Sequence, residues 1–248
     1  MQETRGSTEK ALDLLQEVIA LGGEPFVPEI QSQKLGFPVP SLYRYLNVFL
    51  ECGVLIRPRR GEYLLHPVFL ASMEAYSAQG VLERVARSEL EELSARLPAT
   101  LHFGVLETDM VTYLVKVAGS GEELFTQERQ QLEAYCSGIG KVLLAAQPED
   151  VLTAYLSAGA FPALTPHTIT DPAKIRLEIA ATRARGYGVD GHEVHEDLVC
   201  IAAPVVSSKG VTLGAISAAS KSIDLLGEER AATLALIKKS AARMGAIF

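Results

Sequence analysis

The sequence predicts an α+β protein: an N-terminal winged helix-turn-helix, a linker helix, and a C-terminal mixed sheet with helices. Two observations predict the first part. Residues 11–53 carry apolar side chains at helical spacing, and residues 54–65 have the pattern of a hairpin with arginines at its tip. Beyond residue 98, strand-like apolar runs and helical segments are mixed. We therefore predict a winged domain over 1–72, linker helices over 73–98 and a second domain over 99–248.

Composition places this chain among globular proteins, with 48% hydrophobic and 21% charged residues out of 248. No apolar run approaches the ~18 residues of a membrane span, and the first residues do not form a signal peptide. The three cysteines are too few and too scattered for a disulfide framework. These features predict a cytoplasmic protein with no membrane partner.

Charge is unevenly distributed along the chain. The formal net charge of −7 argues against nucleic acid covering the whole surface. Within residues 31–61, however, there are five basic residues and one acidic residue, Glu51, which gives a net charge of +4. Such a local basic patch is a typical sign of phosphate contact, although a solvated basic face has the same composition.

The first 51 residues predict three helices. Apolar positions 11, 12, 14, 15, 18 and 19 predict the first helix, which Ser7 or Thr8 caps and Gly22 ends. Pro28 begins a second, short helix. After a glycine-containing turn, a third helix is predicted from Pro40 to Glu51, and two helices joined in this way are typical of a helix-turn-helix.

The polar face of the third helix carries the candidate DNA-binding residues Ser41, Tyr43, Arg44 and Asn47. We expect Arg44 and Asn47 to contact base edges. The turn over residues 57–61 adds Arg57, Arg59 and Arg60, which would bind the phosphate backbone irrespective of base sequence. A winged helix can also serve as a protein-interaction module, and this alternative remains open.

The rest of the chain predicts alternating helices and strands. A helical stripe over 82–97, ended by Pro98, suits a linker helix or a dimer contact. Strands are predicted over 102–106, 111–115, 199–206 and 211–216, and helices over 139–156, 171–185 and 225–247.

An ordered series of motifs resembles the IclR-type bacterial transcriptional regulators. The resemblance covers nearly the whole chain and rests on segments 35–38, 61–65, 136–145, 164–170, 185–190 and 200–205. It implies a GAF-like C-terminal domain that binds a small organic effector. It also implies a dimer or a dimer of dimers on double-stranded operator DNA. The implied effector-binding residues are Gly138, Ile139, Asp190, Cys200, Ser217 and Ala219.

The predicted effector site favours an anion, because Gly138 and Ile139 stand at a helix start where N–H groups and the helix dipole attract negative charge. We therefore expect a carboxylate-bearing effector. Ordinary turn geometry would equally explain the glycines, and Cys200 would equally suit a small buried hydrophobe. The chain departs from the family pattern at three places, with Val39-Pro40 for Lys-Ser, Asp197 for a glycine, and Ala219 for a serine.

Catalysis and metal binding are the competing hypotheses. His192 and His195, with Cys136 or Cys200, could hold a metal, but they follow Gly191 in a predicted polar loop. Cys200 could pair with a histidine, His102 or His195, as a nucleophile, yet its surroundings offer no activating charge.

No phosphate-binding loop, dinucleotide fingerprint or nucleophile elbow occurs in the sequence. We expect a homo-oligomeric, effector-responsive DNA-binding regulator, neither enzyme nor metalloprotein and without a cofactor. The alternative is a metabolite-sensing or protein-interaction module without specific DNA binding, which the departure at Val39-Pro40 keeps open.

Overall fold

A computed structural model describes residues 6–74, 78–119 and 124–248. The chain divides into two compact units, Met1–Ala78 and Gln79–Phe248. The described part of the N-terminal unit consists of helices and one antiparallel hairpin: α1 (Ser7–Ala20), α2 (Pro28–Leu35), α3 (Val39–Glu51), β1 (Leu55–Arg59), β2 (Glu62–Leu65) and α4 (Pro67–Glu74).

Helix α1 begins before the predicted cap. Ser7 is already helical, so neither Ser7 nor Thr8 caps the helix, and that prediction is wrong. Instead the backbone N–H of Gly6 donates to the Glu9 carboxylate at 2.7 Å. The predicted end is confirmed, because Gly22 has a φ of 63°, which most other residues avoid.

The turn between α2 and α3 has the expected glycine geometry. Gly36 ends α2 with a φ of 69°, and the next N–H, that of Phe37, bonds back to the Ser32 carbonyl at 3.1 Å. This sharp turn lets α3 pack across the unit. Its apolar face joins a buried cluster drawn from α1, the loop after it, α3 and the hairpin: Leu14, Val18, Phe26, Leu42, Leu46, Leu55, Tyr63 and Leu65.

The hairpin is tighter than predicted. We expected residues 57–61 to be a turn, but β1 continues to Arg59, which pairs with Glu62. The register is irregular between Ile56 and Arg59, where Pro58 has no N–H to donate. The reversal therefore falls on Arg60 and Gly61, and Gly61 has a φ of 84°.

The C-terminal unit is built on one six-stranded antiparallel sheet with the strand order β5-β4-β3-β8-β7-β6. Its elements are α5 (Ala78–Ser94), β3 (Thr100–Glu107), β4 (Met110–Val117), β5 (Gln131–Glu133), α6 (Gly138–Ala145), α7 (Glu149–Ala158), α8 (Pro172–Arg185), β6 (Gly188–Gly191), β7 (Val199–Val206), β8 (Thr212–Ser220) and α9 (Arg230–Gly245).

Helices cover both faces of this sheet. Successive strand residues point to opposite faces, so β3, β7 and β8 each contribute to two cores. One core joins the sheet to α5 and α9 through residues such as Leu90, Phe103, Ile201, Ile216 and Ile237. The other joins it to α6, α7 and α8 through residues such as Ala202, Ile139, Leu152 and Ile179.

The apolar stripe predicted over 82–97 is used inside the C-terminal unit. Ala86, Leu90 and Leu93 on α5 are buried against the sheet. Arg243 of α9 holds the same helix by ion pairs with Glu89 at 2.6 Å and Glu92 at 2.8 Å. Much of the stripe is therefore buried by the fold of this unit, and its role as a dimer contact stays a prediction.

Three predicted elements have different bounds. The helix predicted over 139–156 is two helices, because Pro148 follows the end of α6 and starts α7. The last helix begins at Arg230 rather than 225, after a turn at Gly227. The strand predicted over 211–216 continues to Ser220 as β8. Helix α4 and the short strands β5 and β6 were not predicted.

Within the described ranges, no helix has both the length and the apolar character that crossing a bilayer requires.

Candidate functional site: an exposed basic face and a buried polar cluster

The four predicted polar residues of α3 differ in how far they are exposed to solvent. Arg44 and Asn47 are exposed, whereas Ser41 and Tyr43 are half-buried. Tyr43 is engaged within its own unit, because its hydroxyl donates to Glu29 at 3.2 Å and its ring meets the Tyr63 ring edge-on. Asn47 thus presents its amide on the surface, whereas the Tyr43 hydroxyl is already bonded within its unit.

Arg44 is held against its own unit. Its Nη2 lies 3.2 Å from both the Ser7 hydroxyl and the Tyr45 hydroxyl, and its guanidinium lies 5.2 Å from the centre of the Tyr45 ring. These contacts link α3 to the start of α1. The sequence did not indicate this restraint, because Ser7 and Arg44 are 37 residues apart.

The hairpin arginines Arg57, Arg59 and Arg60 are all exposed. Lys34, the other basic residue of this region besides Arg44, forms an ion pair with Glu17. The positive charge free to meet phosphates therefore lies mainly on the hairpin, on residues that the sequence singled out.

The start of α6 lies against the sheet in the C-terminal unit. Ser137 caps the helix, accepting the Gly140 N–H at 3.2 Å. Gly138 is so close to β7 that a Cβ on it would lie 3.0 Å from the Cys200 sulfur. The Gly138 N–H also acts on that sulfur as a hydrogen-bond donor. A glycine fits best here because a larger residue would push against the Cys200 side chain on β7.

Five of the six predicted effector residues are neighbours in this structure. Asp190, Cys200 and Ala219 form one cross-strand row over β6, β7 and β8, and Ser217 stands in the next row beside Ala202. Gly138 lies over Cys200. Ile139 differs from the other five, because its side chain points towards Gly104 and into the apolar core.

Asp190 is a buried carboxyl group with an unusual pKa. Burial raises the pKa to about 7, although the Glu193 N–H at 2.7 Å, the Val194 N–H at 3.3 Å and the Lys141 charge all oppose the rise. Asp190 thereby fixes the loop that follows β6. Its ionisation near neutral pH places a titratable group next to Cys200.

Lys141 ties α6 to the same loop. Its side chain is buried, and its ammonium group forms an ion pair with Glu193 and donates to the Val189 carbonyl at 2.8 Å. Glu178 on α8 lies 3.7 Å away. This cation is consequently committed to internal partners and does not face the cluster as a free charge.

His102, which the sequence suggested only as a partner for a nucleophilic Cys200, lies beside the predicted effector residues. His102 on β3 pairs directly with Ser217, its Nε2 lies 2.8 Å from the Thr126 hydroxyl, and its ring stacks on Tyr113 with centroids 4.5 Å apart. Burial, together with the nearby Lys116 charge, lowers the pKa of His102 to about 3. The sequence signal was a polar residue placed between Leu101 and Phe103 in a predicted strand.

Two buried polar atoms of this cluster lack a partner. Ser217 Oγ and His102 Nδ1 form no hydrogen bond of ordinary geometry with any described residue. The Ser217 hydroxyl does stand near enough to the Cys200 thiol to influence its pKa. On the face of the sheet that α6 covers, these two atoms are therefore able to form further hydrogen bonds.

Comparison with known proteins identifies the family. Residues 74–246 match the family model described as bacterial transcriptional regulator IclR C-terminal. The chain is 27% identical to the HTH-type transcriptional regulator KdgR of Escherichia coli, over 87% of this chain and 82% of that protein. This chain belongs to the IclR family.

Solved structures of IclR proteins share the fold. The Thermotoga maritima IclR structure aligns over 96% of this chain and 97% of that one, with a TM-score of 0.63 and 21% identity. An IclR homologue from Microbacterium hydrocarbonoxydans, complexed with 4-hydroxybenzoate, aligns over 97% of this chain and 98% of that one, with a TM-score of 0.63 and 21% identity.

Cys200 of this IclR-family chain is not set up as a nucleophile. Burial, reinforced by the Asp190 charge, raises the pKa of its thiol to about 12, so the thiol stays protonated at neutral pH. The Nε2 atom of His102 is already hydrogen-bonded to the Thr126 hydroxyl. His195 stacks on Phe125.

The histidines after β6 lie in a loop rather than a helix. His192 has a φ of 66°, and His195 Nδ1 accepts the Asp197 N–H at 3.2 Å. No group of three or more potential metal ligands occurs in the ranges that the structure covers. Asp197, which stands where the family pattern has a glycine, is exposed to solvent.

Proposed function

We propose that this IclR-family chain is a sequence-specific DNA-binding regulator with a winged helix-turn-helix at its N-terminus. One observation carries the proposal: α3 exposes Arg44 and Asn47, and the adjacent hairpin exposes three arginines, in a chain whose net charge is −7. A positive surface on an acidic protein, built on two helices and a hairpin, suits a DNA duplex.

The two parts of this surface would have different tasks. Helix α3 would lie in the major groove, where Asn47 and Arg44 can reach base edges. The hairpin arginines would neutralise flanking phosphates. Ser7 and Tyr45 keep the Arg44 guanidinium from sampling many rotamers, which reduces the entropy lost when it binds.

The C-terminal unit would bind a small carboxylate-bearing effector at the start of α6. Helix starts attract anions, and Gly138, Asp190, Cys200, Ser217 and Ala219 lie around this one. The 4-hydroxybenzoate bound by the Microbacterium homologue carries such a carboxylate. We propose that the protein acts as a dimer or a dimer of dimers, so that its operator is palindromic.

Effector binding would change the affinity for DNA only as far as the effector prefers one arrangement of the protein. Helix α5 packs on the same sheet whose other face carries the cluster. It is thus the element through which a change at the cluster would reach the N-terminal unit.

Fluorescence anisotropy tests the DNA proposal directly. The probe is the promoter fragment beside the protein's own gene, with scrambled DNA of equal length as the control, at one salt concentration. We expect a tighter complex with the native fragment. Equal weak binding to both would contradict sequence-specific recognition of that fragment and favour a protein-interaction module.

Two variants separate base contacts from phosphate contacts. Arg44→Ala should weaken binding to the native fragment by about 1–3 kcal/mol and affect scrambled DNA less. The double replacement of Arg59 and Arg60 by Ala should lower the salt-dependence slope by about 2. An unchanged slope would remove the hairpin from the DNA, and equal losses on both DNAs would make Arg44 a phosphate contact.

A further inference from the structure

His102 and Ser217 form a cross-strand pair in which each residue has a polar atom to spare. They lie in register on β3 and β8, with 1% and 0% of their surfaces exposed. Neither His102 Nδ1 nor Ser217 Oγ forms a hydrogen bond of ordinary geometry with a described residue, although the Ser217 hydroxyl lies near enough to the Cys200 thiol to lower its pKa. A buried polar atom left without a partner costs about 1–3 kcal/mol. Two such residues in one cross-strand pair are therefore unusual unless something else binds them.

The pair is rigid and uncharged. Thr126 anchors the His102 ring through Nε2, and Tyr113 stacks against one of its faces. Because complete burial disfavours the protonated form, the imidazole is neutral at physiological pH. A neutral imidazole nitrogen and a hydroxyl can each donate or accept, depending on the tautomer and the rotamer.

The pair has no cation bonded to it. The nearby Lys116 ammonium donates to two backbone carbonyls, those of Leu124 and Thr126, and Lys141 is paired with Glu193. A carboxylate between His102 and Ser217 would be buried without an ion-pair partner, whereas an uncharged oxygen needs only hydrogen bonds. The N–H groups at the start of α6 are the better partners for the carboxylate.

We propose that His102 and Ser217 bind a hydroxyl or carbonyl oxygen of the effector, so that the effector is an acid with a second, uncharged oxygen function. This inference rests on the proposed binding of the carboxylate at the start of α6. It adds His102 to the site and gives Ser217 a partner other than the carboxylate.

The sheet also sets the distance between the two groups. Gly138 lies over β7, beside Cys200 and Ala202, whereas the His102–Ser217 pair spans the next two strands, β8 and β3. Adjacent strands are about 4.8 Å apart. The carboxylate and the second oxygen are thus expected about 5–10 Å apart, as in 4-hydroxybenzoate or 6-hydroxyhexanoate, and further apart than in a 2-hydroxy acid.

Isothermal titration calorimetry of the full chain tests this with two matched pairs of probes, 4-hydroxybenzoate with benzoate and 6-hydroxyhexanoate with hexanoate. We expect at least one hydroxylated acid to bind tenfold or more tightly than its partner. Ser217→Ala and His102→Leu should reduce that ratio to below threefold, because each variant should weaken binding of the hydroxylated acid more than binding of the plain acid.

Matched controls protect the result. Ser240→Ala removes a buried hydroxyl from α9, on the opposite face of the sheet, and should leave the ratio intact. His102→Asn keeps a hydrogen-bonding group and provides a second variant should His102→Leu fail to fold. Melting temperatures verify that each variant is folded.

The outcomes separate the two proposals. Equal affinity for both members of a pair that binds overturns this inference and leaves the carboxylate site standing. A ratio that survives Ser217→Ala, His102→Leu and His102→Asn also overturns it. If none of the four acids binds, the carboxylate proposal fails and this inference falls with it. If 4-hydroxybenzyl alcohol binds as tightly as 4-hydroxybenzoate, the proposed carboxylate site is refuted but the role of His102 and Ser217 is not.

Discussion

The two faces of the six-stranded sheet are made by the same strands but differ in what they bury. On the face covered by α5 and α9, β3, β7 and β8 contribute apolar side chains such as Leu101, Ile201 and Ile216. On the opposite face, the same strands contribute His102, Cys200 and Ser217. Because side chains alternate along a strand, one sequence can assign stability to one face and recognition to the other.

The two faces also differ in how completely their buried polar groups are hydrogen-bonded. The apolar face has few polar atoms to satisfy, so its stability comes from packing. The polar face carries a buried ion pair at Lys141, a buried carboxyl at Asp190 and the two uncommitted atoms of His102 and Ser217. Such features cost stability, and they concentrate where a protein binds something.

The largest effect is expected on the apolar face. Phe103 is fully buried there, with its ring against Gly214. Phe103→Ala should lower the free energy of unfolding by about 3–5 kcal/mol, because it removes packing and leaves a cavity. Thermal unfolding of the full chain, at matched protein concentration, measures the loss. A loss below 1 kcal/mol would mean that this face is not the main stabilising core.

The next effect concerns the buried ion pair on the polar face. Lys141→Met should cost about 3 kcal/mol or more, because the Glu193 carboxylate remains buried without its cation. The double variant Lys141→Met with Glu193→Leu should recover much of that loss. Urea unfolding of the three proteins forms the comparison. Equal stability of the single and double variants would show that the pair is not energetically coupled.

Asp190 makes stability depend on pH. Its pKa is about 7 in the folded protein, against 3.8 ordinarily, so the folded state holds more protons than the unfolded state between about pH 4 and 7. Its contribution to stability is therefore lost as the pH rises through this window, with a slope of up to about 1.4 kcal/mol per pH unit.

Asp190→Asn keeps the oxygen that accepts the Glu193 and Val194 N–H groups and removes the titration. Unfolding measured from pH 4 to pH 8 should show a flatter profile for this variant, which should be the more stable of the two at pH 8. Parallel profiles for the variant and the wild type would rule out Asp190 as the titrating group.

The smallest effect gives the sharpest contrast, because it uses adjacent residues on opposite faces. Ser217→Ala should change the free energy of unfolding by less than about 1 kcal/mol, since the lost hydroxyl has no partner. Ala218→Ser should cost about 1–3 kcal/mol by burying a hydroxyl in the apolar core. Similar costs for both changes would erase the distinction between the faces.

Local patterns predicted much of this fold. Helix spacing predicted α1, α3 and α8 closely, and apolar runs predicted β3, β4 and β7. The misses have local causes as well. A helical pattern concealed the break at Pro148, and β6 is too short and polar to show strand alternation.

The candidate site could be predicted only in part. Motif order pointed to Gly138, Asp190, Cys200 and Ser217, which the fold does bring together. It did not point to His102, because that residue's significance depends on its pairing with Ser217, 115 positions later in the chain. The roles of all these residues in binding remain predictions.

The periodicities, the turn glycines and the basic segment follow from the sequence alone, because they depend on the conformational preferences of neighbouring residues. Which polar groups are buried, what they bond to and which pKa values shift became clear only in the folded chain. Those properties depend on partners far apart in the chain, such as Ser7 with Arg44 or Lys141 with Glu193, whose distance and burial no local pattern records.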